Sequence, residues 1–541
     1  MRIRVLLVAV TAACLAAGVG VASAVATSNV ALSVNAAAGR HPISQYIYGV
    51  NFAAGAPGLT TAFKVPVNRW GGNSTSRYNY LNHTYNTGSD WYFENIVAQP
   101  RDTLESFIAA NKSKKVVNLV TLPMIGWVSK NSPSSHPFIC SFPQGTFATQ
   151  DSFDPYDANC GNGTQNTYQT NLNAEPTTTS TAVSASWDGA EVKYLVGKFA
   201  AAAKGGVALY ELDNEPDDWD YTHRDVHPSA PTYNELSSLS IATATSVKKA
   251  DPTSKVLGPS SSSYCGYIDS SAHVCRTGAD HTKYGDFAPW YLRQMHTASV
   301  AAHTRLLDYF DEHFYPQASG VALNGAGDAA TQALRLRSTR ALWDPTYPDE
   351  SWIHDVTAKP LQFIRTMKKW VAANYPGTKT AITEYNWGAL DSMNGALAQA
   401  DVLGIFGREG LDLATLWDGP SALQPGAFAF KMYLNYDGRG SHFGETSIKA
   451  TSGNQGRLAV YAAQRTADKA LTLMVINKSA QSITTSLGIA GFSAAAKAQP
   501  FRYSSASIKS IKKLNAVRVL KGHIAVTYPA NSITLLVVPK K

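Results

Sequence analysis

Eight β-type runs, spaced between about residue 46 and residue 437 with amphipathic stretches between them, constrain this chain more than any other feature. They read IYGVNF (47–52), VPVNRW (65–70), KVVNLVTLP (115–123), VALYELDN (207–214), KVLGPS (255–260), LLDYFDEHFYP (306–316), TAITEYNWG (380–388) and LDLATLWDG (411–419). Strand-type runs alternating with amphipathic segments are the pattern of βα units. Residues 188–204 place Val192, Leu195, Val196 and Phe199 at helical spacing, and 357–375 do the same with Ile364, Met367 and Val371. Only twelve residues (53–64) separate the first two runs, so the first βα unit is abbreviated. Eight parallel strands with intervening helices close into a (β/α)8 TIM barrel, whose chemistry sits on the loops after the C-terminal strand ends.

After about residue 446 the texture changes to alternating β-rich segments: RLAVYAAQR (457–465), ALTLMVIN (470–477), HIAVTYP (523–529) and SITLLVVP (532–539). These predict an antiparallel β-sandwich. The early segment NVALSV (29–34), with Val30, Leu32 and Val34 facing inward, adds a strand to it. The expected organisation is therefore a signal peptide (1–24), an N-terminal strand segment (25–45), a catalytic barrel (46–437) and a sandwich (438–541). NAEPTTTSTAVSAS (173–186) reads as a flexible insertion between the third and fourth barrel strands.

Residues 1–24 carry two arginines, an apolar stretch and an Ala22-Ser23-Ala24 ending, the marks of a secretory signal. No later stretch is apolar enough for a membrane span, so export without stable membrane association is expected. Beyond the signal, Cys140, Cys160, Cys265 and Cys275 remain, an even set that suits an oxidising compartment. Of their three pairings, loop closure favours Cys140–Cys160 and Cys265–Cys275, each contributing roughly 2–3 kcal/mol. Their spacings match no usual zinc pattern. Without Arg2 and Arg4, 45 basic residues stand against 39 acidic ones, and the lysines do not interleave with aromatics, which argues against a nucleic-acid partner.

The stretch YELDNEPDDWD (210–220) crowds carboxylates into a chain that is only 16% charged. On the strand assignment, Glu215 stands just past strand four and Glu384, in ITEYNWG, at the end of strand seven. Two carboxylates converging on one barrel mouth are what glycosidic bond cleavage requires: one protonates the leaving oxygen while the other attacks or stabilises the anomeric carbon. A carboxyl with a pKa of ~4.3 is only about 2% protonated at pH 6, whereas one raised to ~6 is about half protonated. Asp213, Asp217 and Asp218 lie near Glu215, and like charges favour its protonated form. Glu384, among Tyr385, Asn386 and Trp387, is then the nucleophile. Taken alone, Asn-Glu-Pro also reads as a capped turn, a strand-ending Glu as a core residue paired with Arg, and the acidic run as a calcium loop, although one without the mid-loop glycine.

RWGGNSTSRYNY (69–80), TLPMIGWVSK (121–130), YELDNEPDDW (210–219), DEHFYP (311–316), RLRSTRALWDPTYPDESW (335–352), ITEYNWG (382–388) and NYDGRGSHFGETS (435–447) together resemble the successive signatures of glycoside hydrolase family 44. The resemblance implies a barrel with a β-sandwich and retaining endo-action on β-1,4-glucans such as carboxymethylcellulose, xyloglucan or mixed-linkage glucan. It implies Glu215 as acid/base and Glu384 as nucleophile. It implies no organic cofactor; a structural calcium ion is compatible with such enzymes, but no loop here names its ligands. Tyr80 stands where the family commonly has Trp, and 131–186 is a cysteine-bearing insertion; both bear on substrate preference.

Arg69, Trp70, Asn73, Trp127, Asn214, His313, Tyr315, Trp343, Trp352 and Trp417 make up the candidate substrate-binding set. Of the eleven tryptophans, Trp70, Trp127, Trp219, Trp343, Trp352, Trp387 and Trp417 fall at strand ends or in the loops after them, where pyranose C–H faces would stack. Core packing is the alternative for each. Asn214 is placed to bond the sugar 2-hydroxyl, and Arg69 to hold Glu384 ionised. His313 and Tyr315 position the nucleophile, unless His313 is a satisfied barrel histidine. The expected protein is a secreted monomer acting on a β-glucan polysaccharide. The rivals are a related hydrolase acting on mannan or arabinoxylan, and a catalytically silent carbohydrate-binding protein.

Overall fold

The computed structural model describes residues 30–51 and 63–541. The leader 1–24 and most of the short connection at 53–64 lie outside the described residues. Strand β1 (Leu32–Asn35) precedes the barrel strands β2 (Gly49–Asn51), β3 (Val67–Trp70), β4 (Val117–Leu122), β5 (Leu209–Leu212), β6 (Lys255–Ser261), β7 (Tyr309–Glu312), β8 (Lys379–Ile382) and β9 (Leu413–Leu416). β2 to β9 form one closed, all-parallel barrel in chain order, with β9 pairing back on β2. All eight expected strands are present.

Period-two alternation explains the barrel's interior. Val67, Leu119, Leu209, Leu257, Tyr309, Ala381 and Leu413 form one apolar layer at its base. Two residues further along six of these strands stand Arg69, Thr121, Glu211, Asp311, Thr383 and Thr415, all buried. The interior is thus apolar below and polar at the C-terminal mouth. The intervening residues, among them Trp70, Val120, Tyr210, Phe310 and Ile382, point outward into the helix-facing core.

The main crossover helices are α1 (Leu104–Ser113), α2 (Ala185–Phe199), α3 (Tyr233–Ala250), α4 (Phe287–Ala301), α5 (Ala329–Ser338), α6 (Phe363–Asn374) and α7 (Met393–Glu409); α8 (Pro425–Leu434) follows β9. α3 opens with a reciprocal cap, the Thr232 hydroxyl accepting from Glu235 N–H and the Glu235 carboxylate accepting from Thr232 N–H. α2 and α6 fall where the helical spacing predicts them, with Val192, Leu195, Ile364, Met367 and Val371 buried. Residues 173–186 are not a loose insertion. Ser180–Ala182 pairs with Trp127–Ser129, and Asn95 Nδ2 donates to Thr179 O at 2.7 Å.

The long strands of the C-terminal domain are β10 (Thr446–Ser452), β11 (Leu458–Gln464), β12 (Leu471–Asn477), β13 (Ile483–Ala490), β14 (Lys497–Ser504), β15 (His523–Tyr528) and β16 (Ser532–Val538). β1 joins it, antiparallel to β10 but parallel to β13, so the sheet is mixed rather than wholly antiparallel. β10 pairs with β11 through Thr446–Ile448 and with β1 through Lys449–Ser452, which carries the sheet from one layer to the other. Val30, Leu32 and Val34 enter the core between the layers with Val460, Leu473, Leu487 and Ile524. The opposite faces of β11, β12 and β16 present Tyr461, Met474, Ile476, Ile533 and Leu535 to the barrel's core. This is why β12 and β16 are buried at every residue.

Asp401 on α7 ties the joint. It accepts from Tyr461 OH at 2.7 Å and Thr339 Oγ1 at 2.8 Å and pairs with Lys478 Nζ at 2.8 Å. Gly404 on the same helix is required there, because a Cβ would fall 2.3 Å from the Tyr461 ring. The cysteines pair as Cys140–Cys160 and Cys265–Cys275, as loop closure favours.

Candidate active site

The chain turns sharply after β5. Asp213 (φ 67°) and Glu215 (φ 46°) both adopt left-handed backbone, which is sterically costly for such residues and persists only when surrounding contacts fix it. Those contacts are present: the Asp213 carboxylate accepts from Ile125 N–H at 2.7 Å and Asn214 N–H at 2.8 Å, and Glu215 N–H donates to Ser260 O at 3.1 Å. Asp217 holds the neighbouring loop through Ser262 N–H and Oγ, each at 2.8 Å. Glu384 follows β8, and its carbonyl accepts from Phe314 N–H at 2.9 Å. An oxygen of Glu215, one of Glu384 and a ring nitrogen of His313 all lie within 4.8 Å of one another at the mouth.

Arg69 anchors one side of this cluster with its whole fork. Nε donates to Glu211 at 2.7 Å, one terminal nitrogen to Glu384 Oε1 at 2.6 Å and Asn51 at 3.0 Å, and the other to Asn214 Oδ1 at 2.8 Å. The Tyr315 hydroxyl donates to Glu384 Oε2 at 2.7 Å. Asn214 Oδ1 also accepts from Gly72 N–H at 3.0 Å, and its Nδ2 donates to Asn73. The side-chain NH2 is therefore the end of Asn214 suited to meet a sugar hydroxyl. Gly71 and Gly72 make room for this, since a Cβ would fall 2.1 Å from the Arg69 guanidinium carbon or 2.6 Å from the Trp417 ring.

The proton positions follow from counting donors. Thr383 Oγ1 has one hydrogen and lies 2.8 Å from Glu211 and 2.5 Å from Asp311. With that hydrogen committed to a carboxylate, Thr383 accepts from His313 Nε2–H, 3.1 Å away. Burial holds the His313 imidazolium down to about 4, so at working pH the ring is neutral and Nδ1 carries only a lone pair. Nδ1 sits 2.9 Å from Glu215 Oε1. A bare acceptor at that distance calls for a protonated Glu215.

The electrostatics agree. Burial, then Asp218, with Asp90 and Glu211 adding, push the Glu215 carboxyl up to about 8. Of the three aspartates near it in sequence, Asp218 is the principal like charge, while Asp213 and Asp217 are engaged in holding backbone. Glu384 is also raised by burial and by Glu215, but Arg69 and the Tyr315 hydroxyl oppose this, as His313 does when protonated. Glu211 is pushed up by burial, yet Arg69 overcomes this and holds it below the usual range. Asp311 is raised by burial and by Glu211. Glu211, Asp311 and Thr383 are the residues of this network that sequence reasoning missed; all three lie inside the recognised motifs, the first two as inward positions of β5 and β7 and Thr383 just past β8.

Among the described residues, two clusters have the spacing to hold an ion: Glu211–Asp311–His313 and Glu215–His313–Glu384. Both border the Arg69 guanidinium, which already supplies positive charge.

The other expected binding residues divide. Trp352 is an exposed indole at the rim, its Nε1 donating to Gln317, which in turn bonds Tyr315 O. Trp417 lies against Gly72, and Asn73 bonds Asp90 at 3.0 Å. Trp127 sits half-buried on the short strand after β4 that pairs with Ser180–Ala182. Trp70 does not face the cleft. As Arg69 points inward its strand neighbour must point outward, and it packs edge-on against Tyr78 and Phe107. Trp343 lies outside the barrel under the Arg408 guanidinium, 4.0 Å from its ring centre, beside Tyr461 of the C-terminal sheet. Trp219 and Trp387 are buried core.

Residues 84–318 match the model of glycoside hydrolase family 44, and Cel44A, a family 44 endoglucanase of Clostridium thermocellum, is 30% identical with TM-score 0.78 over 94% of this chain and 99% of that one. The structure superposes on CelM2, a bifunctional glucanase-xylanase from a metagenome library, with TM-score 0.90 and 38% identity, covering 95% of this chain and 99% of that one. A Paenibacillus polymyxa xyloglucanase of family 44, solved with xyloglucan, gives TM-score 0.78 and 28% identity over 95% of this chain and 100% of that chain. The beta-mannanase/endoglucanase A of Caldicellulosiruptor saccharolyticus is 30% identical over 531 residues, 92% of this chain. The chain spans 38% and 64% of the length of the curated relatives it matches.

Proposed function

Because the chain belongs to glycoside hydrolase family 44, we propose that it is a retaining endo-β-1,4-glucanase with xyloglucanase scope, Glu215 being the acid/base and Glu384 the nucleophile. The observation that carries this reading is the approach of a Glu215 oxygen and a Glu384 oxygen to within 4.8 Å, too close to admit the water that an inverting mechanism places between its carboxylates. In the first step Glu215 donates its proton to the departing sugar oxygen while a Glu384 oxygen bonds to the anomeric carbon. In the second, Glu215, now ionised, takes a proton from the water that displaces Glu384. Arg69 and Tyr315 keep Glu384 ionised and aimed. His313 holds the Glu215 proton and is free to accept it transiently.

The substrate class rests on the relatives, one of them solved with xyloglucan. Their other activities, on xylan and mannan, set the comparison substrates. Glu384→Gln is expected to abolish turnover of xyloglucan and carboxymethylcellulose, by more than about 10³-fold, while the variant still binds the polymer in affinity electrophoresis. Product analysis on xyloglucan, carboxymethylcellulose, lichenan, xylan and mannan in parallel tests the preference. Wild-type-like hydrolysis by the variant, or turnover confined to mannan or xylan, would refute the proposal. Export after removal of residues 1–24 is inferred from the leader and the two disulfides. N-terminal sequencing of the protein from culture supernatant tests it, and retention of Met1 would exclude it.

A further inference from the structure

A second cavity, of about 380 Å³, opens beside the cleft between the loop at 88–93 and the insertion at 131–186. That volume lies in the range of ligand cavities, roughly 300–1,000 Å³. Its walls carry Trp91, Tyr168 and Tyr221, which are 40%, 65% and 55% exposed. Tyr156, 78% exposed, extends the same platform, its ring 6.0 Å from Trp91 at an interplanar angle of 30°. Such large aromatic faces left to water are a departure from a chain that buries Trp70, Trp219 and Trp387.

The insertion is built to hold this surface. Cys140–Cys160 closes its base, and Gln150 clamps it by donating to Phe142 O and accepting from Gly163 N–H at 2.6 Å. Asn166, Thr167 and Tyr168 all adopt left-handed backbone, φ 59°, 57° and 64°. The Asp151 carboxylate fixes that turn by accepting from Thr167 and Tyr168 N–H at 3.0 and 2.8 Å. Three such residues in a row are costly, and what they achieve is an outward-facing tyrosine at the cavity mouth.

The polar lining selects among occupants. Arg224 is nearly buried and committed to the Asn162 and Tyr221 carbonyls and the Phe93 ring face. Asp90 repels anions. Side-chain amides and hydroxyls with flat aromatic faces fit a neutral, hydroxyl-rich ring. Hydrogen bonds link the cavity wall to the proposed catalytic residues: Asp90 accepts from Asn73, which accepts from Asn214 beside Glu215.

Resting on the reading of the cleft as a β-glucanase site, we propose that this cavity is a remote subsite that stacks a backbone pyranose of a long glucan chain, so that the disulfide-closed insertion makes the enzyme favour polymer over short oligosaccharide. The test compares the mature enzyme with Tyr168→Ala and with Trp91→Ala/Tyr168→Ala. On carboxymethylcellulose and xyloglucan, kcat/KM is expected to fall about threefold in the single variant and roughly tenfold in the double one. On a chromogenic cellobioside it should stay unchanged, with melting temperatures preserved. Equal losses on polymer and cellobioside, or no loss on polymer, would overturn the proposal. So would a loss on xyloglucan with none on carboxymethylcellulose, which would assign the cavity to a branch sugar. Titration of cellohexaose against the Glu384→Gln background, with and without the aromatic substitutions, reads the cavity without turnover. If the wild type cleaves no β-glucan but this titration still weakens about tenfold in the double variant, the catalytic reading fails and the subsite stands.

Discussion

Replacing Glu215 with glutamine separates the carboxyl's chemistry from its shape. The amide NH2 can donate to His313 Nδ1 as the protonated acid does, so no hydrogen bond is lost below the titration range. The native carboxyl is held up to about 8 from an ordinary 4.5, by burial first and Asp218 next. Below pH 4.5 the folded and unfolded chains both carry this proton, and wild type and variant should be equally stable. Between pH 4.5 and about 8 the unfolded chain releases the proton while the native site retains it, and the wild type loses up to about 1.4 kcal/mol per pH unit. Across that window the ceiling is roughly 5 kcal/mol. The side chain's 16% exposure admits solvent that reduces it, and a gain of about 2–3 kcal/mol for the variant at pH 8 is expected. Guanidinium denaturation at pH 4.5, 6 and 8 reads this gain directly, while xyloglucan turnover should drop about 10²–10⁴-fold at every pH. A stability difference that does not change with pH, or a variant that becomes less stable as pH rises, would refute the assignment of a retained proton to this site.

Arg69→Lys keeps a charge but replaces the fork that bonds Glu211, Glu384, Asn214 and Asn51 together. Losing one or two charge-assisted bonds at about 1.5–3 kcal/mol each predicts a kcat drop of about 10²–10³-fold, with the acid limb of the kcat/KM profile moving to higher pH as Glu384 loses its partner; an unmoved acid limb would count against Arg69 as the group that ionises the nucleophile. Trp343→Ala should lower stability by about 2–3 kcal/mol through lost packing under Arg408 and leave kcat/KM on xyloglucan within twofold, as measured by thermal melting beside steady-state rates. A selective rise in KM without destabilisation would return Trp343 to the substrate path.

The barrel was legible because each strand is a short β-type run at a spacing that leaves room for a helix, a pattern that survives without any knowledge of contacts. The convergence of Glu215 and Glu384 was legible for a related reason, since strand ends in a barrel all point to one mouth. Facing was harder. Arg69 and Trp70 are adjacent in sequence and equally near the strand end, yet period two sends one into the site and the other behind it. Trp343 was misplaced because a loop after a barrel strand can fold over the helices as readily as over the mouth, and only the Arg408 contact decides. Strands β13 and β14 were unread because ITTSLGIA and KAQPFRYS mix Thr, Ser, Gly and Pro into the alternation. The parallel pairing of β1 with β13 joins residues about 455 positions apart, and no local signal encodes it. Glu211 and Asp311 were quoted within motifs without a role, because their importance lies in a hydrogen-bond network that joins Arg69 on β3 and Thr121 on β4 to Glu211 on β5, Asp311 on β7 and Thr383 at the end of β8.

Charge counting around Arg69 links that hidden network to the chemistry. Four carboxyl groups, Glu211, Asp311, Glu215 and Glu384, are drawn together beside one guanidinium and a histidine that burial keeps neutral. One buried cation cannot sustain four ionised neighbours, so protons must remain on some of them. Direct contact favours the charged form at two of them: Glu211 and Glu384 bond the Arg69 fork at 2.7 and 2.6 Å, which holds Glu211 below the usual range and opposes the rise that burial causes at Glu384. Asp311 and Glu215 have no such contact and are the groups that keep a proton. Asp311 holds its own in the floor against Thr383, where nothing can use it. Glu215 holds its own at the rim, facing His313 and the open cleft, where a leaving oxygen can take it. In the proposed mechanism the acid and the nucleophile are therefore set apart by direct contact with one arginine, which bonds Glu384 and makes no hydrogen bond to Glu215.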